Sequence, residues 1–214
     1  RLHLLCDALS TSGKFHVGRH LLDKLSTVWR HGLIMKNAFY LTLIFLIGSV
    51  INCIKSFEYT VKITAPKATG SSVFEDANIS ADIALFDEAV ALKIKNKTNS
   101  AVLVNWDSVS FVDINGKSNR VIHTGVRLMD RDKPQAPSTI APGATLDDEI
   151  TPVDNIHFDS SNWKTEPLMP SLGENQNSYV GKTLAVYMPL EINGKKKEYN
   201  FKIEITGIKE RQPR

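Results

Sequence analysis

Cysteine is nearly absent from this chain of 214 residues, which contains only Cys6 and Cys53. Neither cysteine lies after residue 56, so an internal disulfide framework is excluded from the body of the sequence. A structural zinc site built from paired thiolates is excluded there for the same reason. A domain of about 150 residues buries roughly 70% of the surface of its unfolded chain and needs neither kind of cross-link.

Glycine and proline are also few, with 12 Gly and 9 Pro against 42% hydrophobic residues, which excludes collagen-like and low-complexity chains. Positive charge is missing where a nucleic-acid surface would need it. Residues 1–52 carry six Lys/Arg against two Asp/Glu, whereas residues 53–214 carry 20 against 21. A nearly neutral body cannot displace many counterions from phosphates, so nucleic acid is not an expected partner.

Signatures of enzymes and cofactor sites are lacking as well. No serine stands in a Gly-x-Ser-x-Gly frame, and no phosphate-binding or dinucleotide-binding glycine pattern occurs. The run Asp147-Asp148-Glu149 lacks the spacing of a calcium loop and is interpreted as a solvated acidic turn. We therefore assign no catalytic, cofactor-binding or metal-binding residue, and we expect the protein not to be an enzyme.

One catalytic alternative stays open. His123 and His157 are the only histidines after Cys53. A hydrolase or a metal-dependent enzyme would use them, together with carboxylates from Asp107, Asp113 or Asp159.

The longest apolar run extends from Ala38 to Ile51 and follows the positively charged start Met35-Lys36. Its 14 residues are short for a membrane span, which takes about 20 apolar residues. This arrangement predicts a signal peptide over residues 35–52. A retained single-span membrane anchor and a buried core helix are the alternatives. Residues 1–34 precede the first methionine and are expected to be an upstream segment, either untranslated or disordered.

Cys53 directly follows the apolar run, in the sequence Val50-Ile51-Asn52-Cys53. This stretch resembles the lipobox of bacterial lipoproteins, although Asn52 stands where that family usually has Gly, Ala or Ser. The resemblance implies that a peptidase cuts before Cys53 and that the cysteine is acylated with diacylglycerol and a fatty acid such as palmitate. Cys53 is then the lipidation site, residues 53–56 are a lipidated tether, and membrane lipid is a partner.

After Cys53 the hydrophobic pattern alternates with a period of two, which is typical of half-buried strands. Asn193-Gly194 predicts a tight hairpin between two such runs, because both residues tolerate positive φ. Asn115-Gly116 and Pro142-Gly143 predict two further hairpins. Seven to nine strands with apolar inner faces predict an all-β antiparallel sandwich over residues 57–209, followed by a tail over 210–214. Residues 154–180 lack periodicity and are predicted to form a surface excursion.

A second resemblance covers roughly residues 80–207. It rests on the following segments: Asn96-Lys97-Thr98, Trp106-Asp107, Ser110-Phe111-Val112-Asp113, Arg120-Val121-Ile122-His123 and Pro142-Gly143. Together they resemble immunoglobulin-like domains of bacterial lipoproteins whose role is unsettled. The resemblance implies an immunoglobulin-like β-sandwich, preceded here by the signal or anchor helix, and it implies no catalytic residue.

These observations predict a membrane-anchored lipoprotein of the bacterial cell envelope that faces outside the cytoplasm. Its domain is expected to have a binding or structural role, with an envelope protein as a further partner. The alternatives are an envelope enzyme that uses His123 and His157, and a single-span membrane protein with the same domain.

Overall fold

The structure is a computed structural model and describes residues 56–170 and 173–211. The predicted signal peptide, the upstream segment and the proposed lipidation site at Cys53 lie outside the described residues. Ser56–Arg214 forms a compact unit of its own. Its regular elements are β-strands and four short 3-10 helices, which are Trp106–Ser108, Leu128–Asp130, Val153–Asn155 and Gly173–Tyr179.

Thirteen strands are present in the described residues. They are β1 (Phe57–Ala65), β2 (Val73–Glu75), β3 (Ile79–Leu85), β4 (Val90–Asn96), β5 (Val102–Val104), β6 (Ser110–Val112), β7 (Ser118–His123), β8 (Ser138–Ile140), β9 (Thr145–Pro152), β10 (Ile156–Asp159), β11 (Asn162–Thr165), β12 (Thr183–Ile192) and β13 (Lys195–Glu210).

Eleven of these strands form one antiparallel sheet in the order β1-β13-β12-β6-β7-β9-β4-β3-β2, with β5 added to β12 and β8 added to β5. The two ends of this path are joined by Ser71 and Ser72, the residues just before β2. The Ile63 N–H of β1 donates to the Ser71 carbonyl at 2.7 Å, and the Ile83 N–H of β3 donates to the Ser72 carbonyl at 3.1 Å. The sheet therefore curls into a near-barrel. Strands β10 and β11 form a separate two-stranded sheet.

Strand β7 connects the two halves of the curled sheet. One half contains β1, β13, β12 and β6 with β5 and β8, and the other contains β9, β4, β3 and β2. Its first three residues, from Ser118 to Arg120, pair with β6. Its last three, from Val121 to His123, pair with β9. Residues on this strand consequently contribute to both halves, and the segments that follow β7 reach the junction between them.

The core lies inside the curl, where the inward residues of the strands meet. Alternation is strict in β3 and β4, where every second residue, counted from the first of the strand, is buried and the residues between them are half-buried or exposed. The closing hairpin contributes six side chains with no exposed surface, which are Val186, Met188, Leu190, Phe201, Ile203 and Ile205. Its turn has Asn193 at φ 54° and Gly194 at φ 67°, so the predicted turn and its two strands are confirmed.

The all-β antiparallel prediction is confirmed, but the third predicted hairpin is wrong. Pro142-Gly143 connects β8 to β9, and these strands do not pair with each other, because β8 pairs with β5 while β9 pairs with β4 and β7. The Asn96 side chain separates them by donating to the carbonyls of Ile140 and Ala141 at 2.9 and 3.2 Å. The turn is thus a crossover between two parts of the near-barrel.

The segment 154–180 is more than the surface excursion predicted for it. It contains the β10–β11 hairpin, and it also covers one end of the core with Leu168, Met169 and Tyr179, all at most 7% exposed. Irregular chain that covers the end of a barrel has no strand or helix period, so its apolar residues escape a search for periodicity.

Phe201 and Lys202 test the strand register directly. Phe201 has no exposed surface, whereas Lys202 is exposed on the opposite face. Phe201→Ala should lower the free energy of unfolding by about 3 to 5 kcal/mol through lost burial and a cavity. Lys202→Ala should change it by less than about 0.5 kcal/mol. Equal losses for the two variants in urea titrations would show that the register is wrong by one residue.

Candidate functional site

His123 lies at the end of β7 and contacts two residues from distant parts of the chain. Its Nδ1 is 3.1 Å from Oδ2 of Asp148 on β9. Its ring stacks on Trp106 with 4.4 Å between the ring centroids and 8° between the planes. Trp106 has no exposed surface, and its Nε1–H donates to Oγ of Ser138 at 2.8 Å. The tryptophan therefore packs in the core, as expected for a large aromatic side chain in a β domain.

The second oxygen of Asp148 holds the chain that follows β7. It accepts the backbone N–H groups of Thr124 at 2.9 Å and Glu149 at 2.8 Å. Gln135 closes the same loop from its other end, because its Nε2 donates to the Val121 carbonyl at 2.8 Å and its Oε1 accepts the His123 N–H at 3.1 Å. The loop from residue 124 to residue 137 is thereby fastened to β7 and β9.

Arg120 and Asp107 complete the arrangement. The Arg120 Nη2 donates to the Asp107 carboxylate at 2.9 Å and to the Lys133 carbonyl at 2.6 Å. The Asp107 carboxylate also accepts the backbone N–H of Gln135 at 3.2 to 3.3 Å. We call the six residues Trp106, Asp107, Arg120, His123, Gln135 and Asp148 the framework cluster. Two segments of the second resemblance, Trp106-Asp107 and Arg120 to His123, thus meet in one place.

The interpretation of Asp147-Asp148-Glu149 as a solvated acidic turn is wrong, because the three residues lie in a strand and Asp148 is buried. Asp148 is 8% exposed, whereas Asp147 and Glu149 are exposed, and all three belong to strand β9. Asp148 shares the strand parity of the apolar Ile150, and this alternation is the sequence signal that could have identified it. Nothing local identifies Gln135, because its partners come from chain pairing that the sequence does not display.

The cluster has one feature of a catalytic base. In the neutral tautomer that donates Nδ1–H to Asp148, the Nε2 of His123 is a proton acceptor. No hydrogen bond to Nε2 is present among the described residues, and no buried polar side-chain atom there lacks a partner, so Nε2 reaches solvent. However, no hydroxyl nucleophile of the described residues is hydrogen-bonded to His123.

His157 lies on β10, outside the framework cluster. Its side chain is 43% exposed, and its Nε2 is 3.5 Å from Oε1 of Glu166. The carboxylates considered with it have other partners, since Asp159 pairs with Lys164 and Asp113 accepts the N–H groups of the turn that follows it. Each histidine thus faces its own carboxylate. The described residues contain no group of three His, Cys, Asp or Glu that could hold a metal ion.

Asn96 forms a second buried polar centre. It has no exposed surface, its Nδ2 donates to the Ser100 carbonyl at 2.7 Å, and its Oδ1 accepts both N–H and Oγ1–H of Thr98 at 2.8 Å. The Asn96 carbonyl accepts the N–H of Gly143 at 3.1 Å. The Asn96-Lys97-Thr98 and Pro142-Gly143 segments of the resemblance are therefore also hydrogen-bonded to each other.

Two lysines at the tip of the closing hairpin, Lys196 and Lys197, are paired with acidic residues. Lys197 Nζ is 2.7 Å from Oδ2 of Asp76, which also accepts the Tyr199 hydroxyl at 3.0 Å. Lys196 Nζ is 3.2 Å from Oε1 of Glu198. Partial burial opposes the charge of Asp76, but Lys197 and the N–H of Ile79 favour it more, so the pKa of Asp76 lies below its ordinary value.

Two surface grooves of the described residues have neither His123 nor His157 in their lining, although Glu166, which faces His157, lines one of them. The smaller, of about 310 Å³, includes Leu103, Pro189 and Lys196 in its lining. The larger, of about 420 Å³, includes Phe111, Lys117 and Glu166. No helix in the described part of the chain is long and apolar enough to cross a bilayer. No family model matches the chain, and no curated protein matches it.

Asp148 should matter for stability far more than its neighbour Asp147. Asp148→Ala leaves two backbone N–H groups and His123 without their carboxylate, and we expect a loss of about 2 to 4 kcal/mol in the free energy of unfolding. Asp147→Ala removes an exposed carboxylate and should change it by less than about 1 kcal/mol. Urea titrations of both variants make the comparison, and similar losses would argue against the framework role of Asp148.

Asp76 should contribute to stability in a pH-dependent way. Its pKa is depressed in the folded state, so its contribution is present above the ordinary value of 3.8 and is lost as the pH falls through the lower folded value. Asp76→Asn should therefore be less stable at pH 7 and should lose less further stability on acidification. Urea titrations from pH 7 to about pH 3 measure both effects. Parallel pH profiles for the two proteins would contradict this role.

Proposed function

We propose that this chain is a membrane-anchored lipoprotein of the bacterial cell envelope, acylated at Cys53. Its β domain faces outside the cytoplasm and acts as a binding or structural module. The proposal assigns it no catalytic residue, with membrane lipid and an envelope protein as its partners. The lipobox-like sequence at Val50 to Cys53 and the apolar run before it are the basis for the anchor.

The observation that carries the proposal is where the domain begins. Strand β1 starts at Phe57, so residues 54–56 are the only residues between it and Cys53. Fully extended, such a connection spans at most about 14 Å. The Phe57 N–H donates to both carboxylate oxygens of Asp87 at 3.2 Å, which fastens the start of the strand to the domain. Acylation of Cys53 would hold the domain close to the bilayer surface.

We place the domain among immunoglobulin-like sandwiches. Three observations support this finer assignment. Trp106 packs in the core, the resembling segments meet at the framework cluster and at Asn96, and β7 exchanges partners between the two halves of the sheet. A sandwich presents loops at its two ends, where binding surfaces form without any catalytic group.

A catalytic role is the second candidate, because Asp148 orients His123 with Nε2 open to solvent. This hypothesis requires that the nucleophile comes from the substrate or from solvent, because no hydroxyl of the described residues is hydrogen-bonded to His123. Its test is hydrolysis of ester, amide and phosphoester substrates by the purified chain. Hydrolysis that His123→Gln abolishes, with the fold retained, would replace the binding role by an enzymatic one.

Intact mass spectrometry of the protein extracted from membranes tests the anchor. We expect a chain that begins at Cys53 and carries acyl chains. Cys53→Ala should abolish acylation and either block processing or release the protein from the membrane. Cys6→Ala is the matched control and should change neither the mass of the mature protein nor its location.

An unmodified chain that retains residues 35–52 would contradict the proposal and favour a single-span anchor. In that case Cys53→Ala would leave membrane association unchanged.

A further inference from the structure

The β10–β11 hairpin stands apart from the main sheet. Its ladder runs from the pair Ile156 and Thr165 to the pair Asp159 and Asn162. At its root the Glu166 N–H donates to the Asn155 carbonyl at 2.7 Å. A two-stranded hairpin alone is only marginally stable in water, so contacts of its side chains must help to hold it.

One face of the hairpin is apolar, and it becomes more exposed with distance from the root. Ile156, at its root, is 3% exposed, but Phe158 on the same face is 56% exposed. Phe158 is the direct cross-strand partner of Trp163, and their rings meet edge to face with centroids 5.4 Å apart. The guanidinium of Arg131 lies 4.7 Å from the centroid of the Trp163 ring. We call Phe158, Trp163 and Arg131 the aromatic edge.

The hairpin and the start of the domain are joined through one residue. The Asp87 carboxylate accepts the N–H of Phe57, and the Asp87 carbonyl accepts the N–H of Leu168 at 2.6 Å. Leu168 is the third residue after β11 ends at Thr165. The neighbouring Phe86 is 38% exposed. The root of the hairpin therefore lies at the end of the domain that contains Phe57, the first residue of β1.

We propose that the aromatic edge rests in the interfacial layer of the bilayer that holds the tether, with lipid as its occupant. This inference rests on the proposed function for the position of the membrane. Tryptophan and arginine combine apolar bodies with polar groups, and such side chains concentrate at the level of lipid headgroups. The exposed ring of Phe158 adds apolar surface beside them. The edge would add a second contact to the tether and would fix which side of the domain faces the lipid.

Charge argues against a purely electrostatic contact. The hairpin carries Lys164 against Asp159, and Lys164 pairs with that aspartate. Around the loop that contributes Arg131, Asp130 is paired with Lys133 at 2.7 Å. Because these cations already have acidic partners in the domain, the contact should not require anionic lipid, and zwitterionic phosphatidylcholine is the appropriate probe.

Trp163 itself reports the contact by fluorescence. The full chain with Trp29→Phe is extracted from membranes and reconstituted into phosphatidylcholine vesicles, with either ordinary or brominated acyl chains. Bromine quenches only indoles that reach the bilayer, so we expect the Trp163 emission to fall about twofold in brominated vesicles. Trp106 stays in the core in every variant, and its emission reports that the fold is intact.

Matched variants separate the aromatic edge from the rest of the surface. Trp163→Phe should remove the quenched component, and Phe158→Ser should reduce the quenching while Phe158→Leu retains most of it. Val73→Ser alters another exposed apolar residue, 39% exposed on β2, and should leave the quenching unchanged.

Two outcomes would overturn the inference. One is equal Trp163 emission in both kinds of vesicle while intact mass shows an acylated Cys53, which would leave the tether standing. The other is unquenched Trp163 together with efficient disulfide dimers of Asn162→Cys, which would assign the hairpin to a second copy of the chain. Quenched Trp163 in a chain without acyl groups would support the lipid contact and reject only the acylated tether.

Discussion

The stack of His123 on Trp106, held in place by Asp148, is the interaction on which the rest of the domain depends. It lies where β7 leaves one half of the curled sheet and pairs with the other. A domain without disulfides must fasten such a junction with side chains. Here a buried indole, an imidazole and a carboxylate connect β7, β8, β9 and the chain before β6, through hydrogen bonds of 2.8 and 3.1 Å and a ring stack with 4.4 Å between centroids.

The framework cluster gives the loop from residue 124 to 137 a fixed path without regular structure. Buried polar groups must be hydrogen-bonded, and each carboxylate or amide of the cluster has its partners within the loop or the strands beside it. Gln135 contacts β7 through both ends of its amide, and Asp107 joins Arg120 to the same loop. Apart from Nε2 of His123, the side-chain groups that hold the loop are engaged in these hydrogen bonds, which is a reason to regard the cluster as structural.

Sequence patterns identify the strands that have one face packed in the core and the other face exposed to solvent. The closing hairpin follows from the alternation on both sides of Asn193-Gly194, and its turn has the positive φ angles that this pair tolerates. The crossover at Pro142-Gly143 escapes the same reasoning, because a turn signal does not reveal which strands pair. Pro189 lacks an N–H, which predicts an edge or a bulge at that point of its strand. It pairs with Glu198 of β13, and on the other side of β12 it lies in the gap between the residues paired with β6 and those paired with β5.

For the candidate site, His123 is apparent from the scarcity of histidines, whereas its partners are not. Asp148 could be identified from strand parity, but Gln135 becomes a partner only through long-range pairing. The two ends of the domain also differ in character. The Phe57 end carries exposed aromatic side chains and the β10–β11 hairpin, whereas the Lys195 end carries lysines neutralised by Asp76 and Glu198. Under the proposed function, the Phe57 end would face the membrane and the Lys195 end would be available to a partner.

Hydrogen exchange of the framework cluster tests the central claim most directly. If the cluster fastens the junction, the Trp106 indole N–H and the backbone N–H groups of His123, Thr124 and Gln135 should exchange only through global unfolding. Their protection would then equal that of core strands such as β4 and β13, and would fall in step with it as urea is added. Fast exchange at these four groups while the core strands stay protected would show that the loop opens independently. That result would contradict a structural role for the cluster.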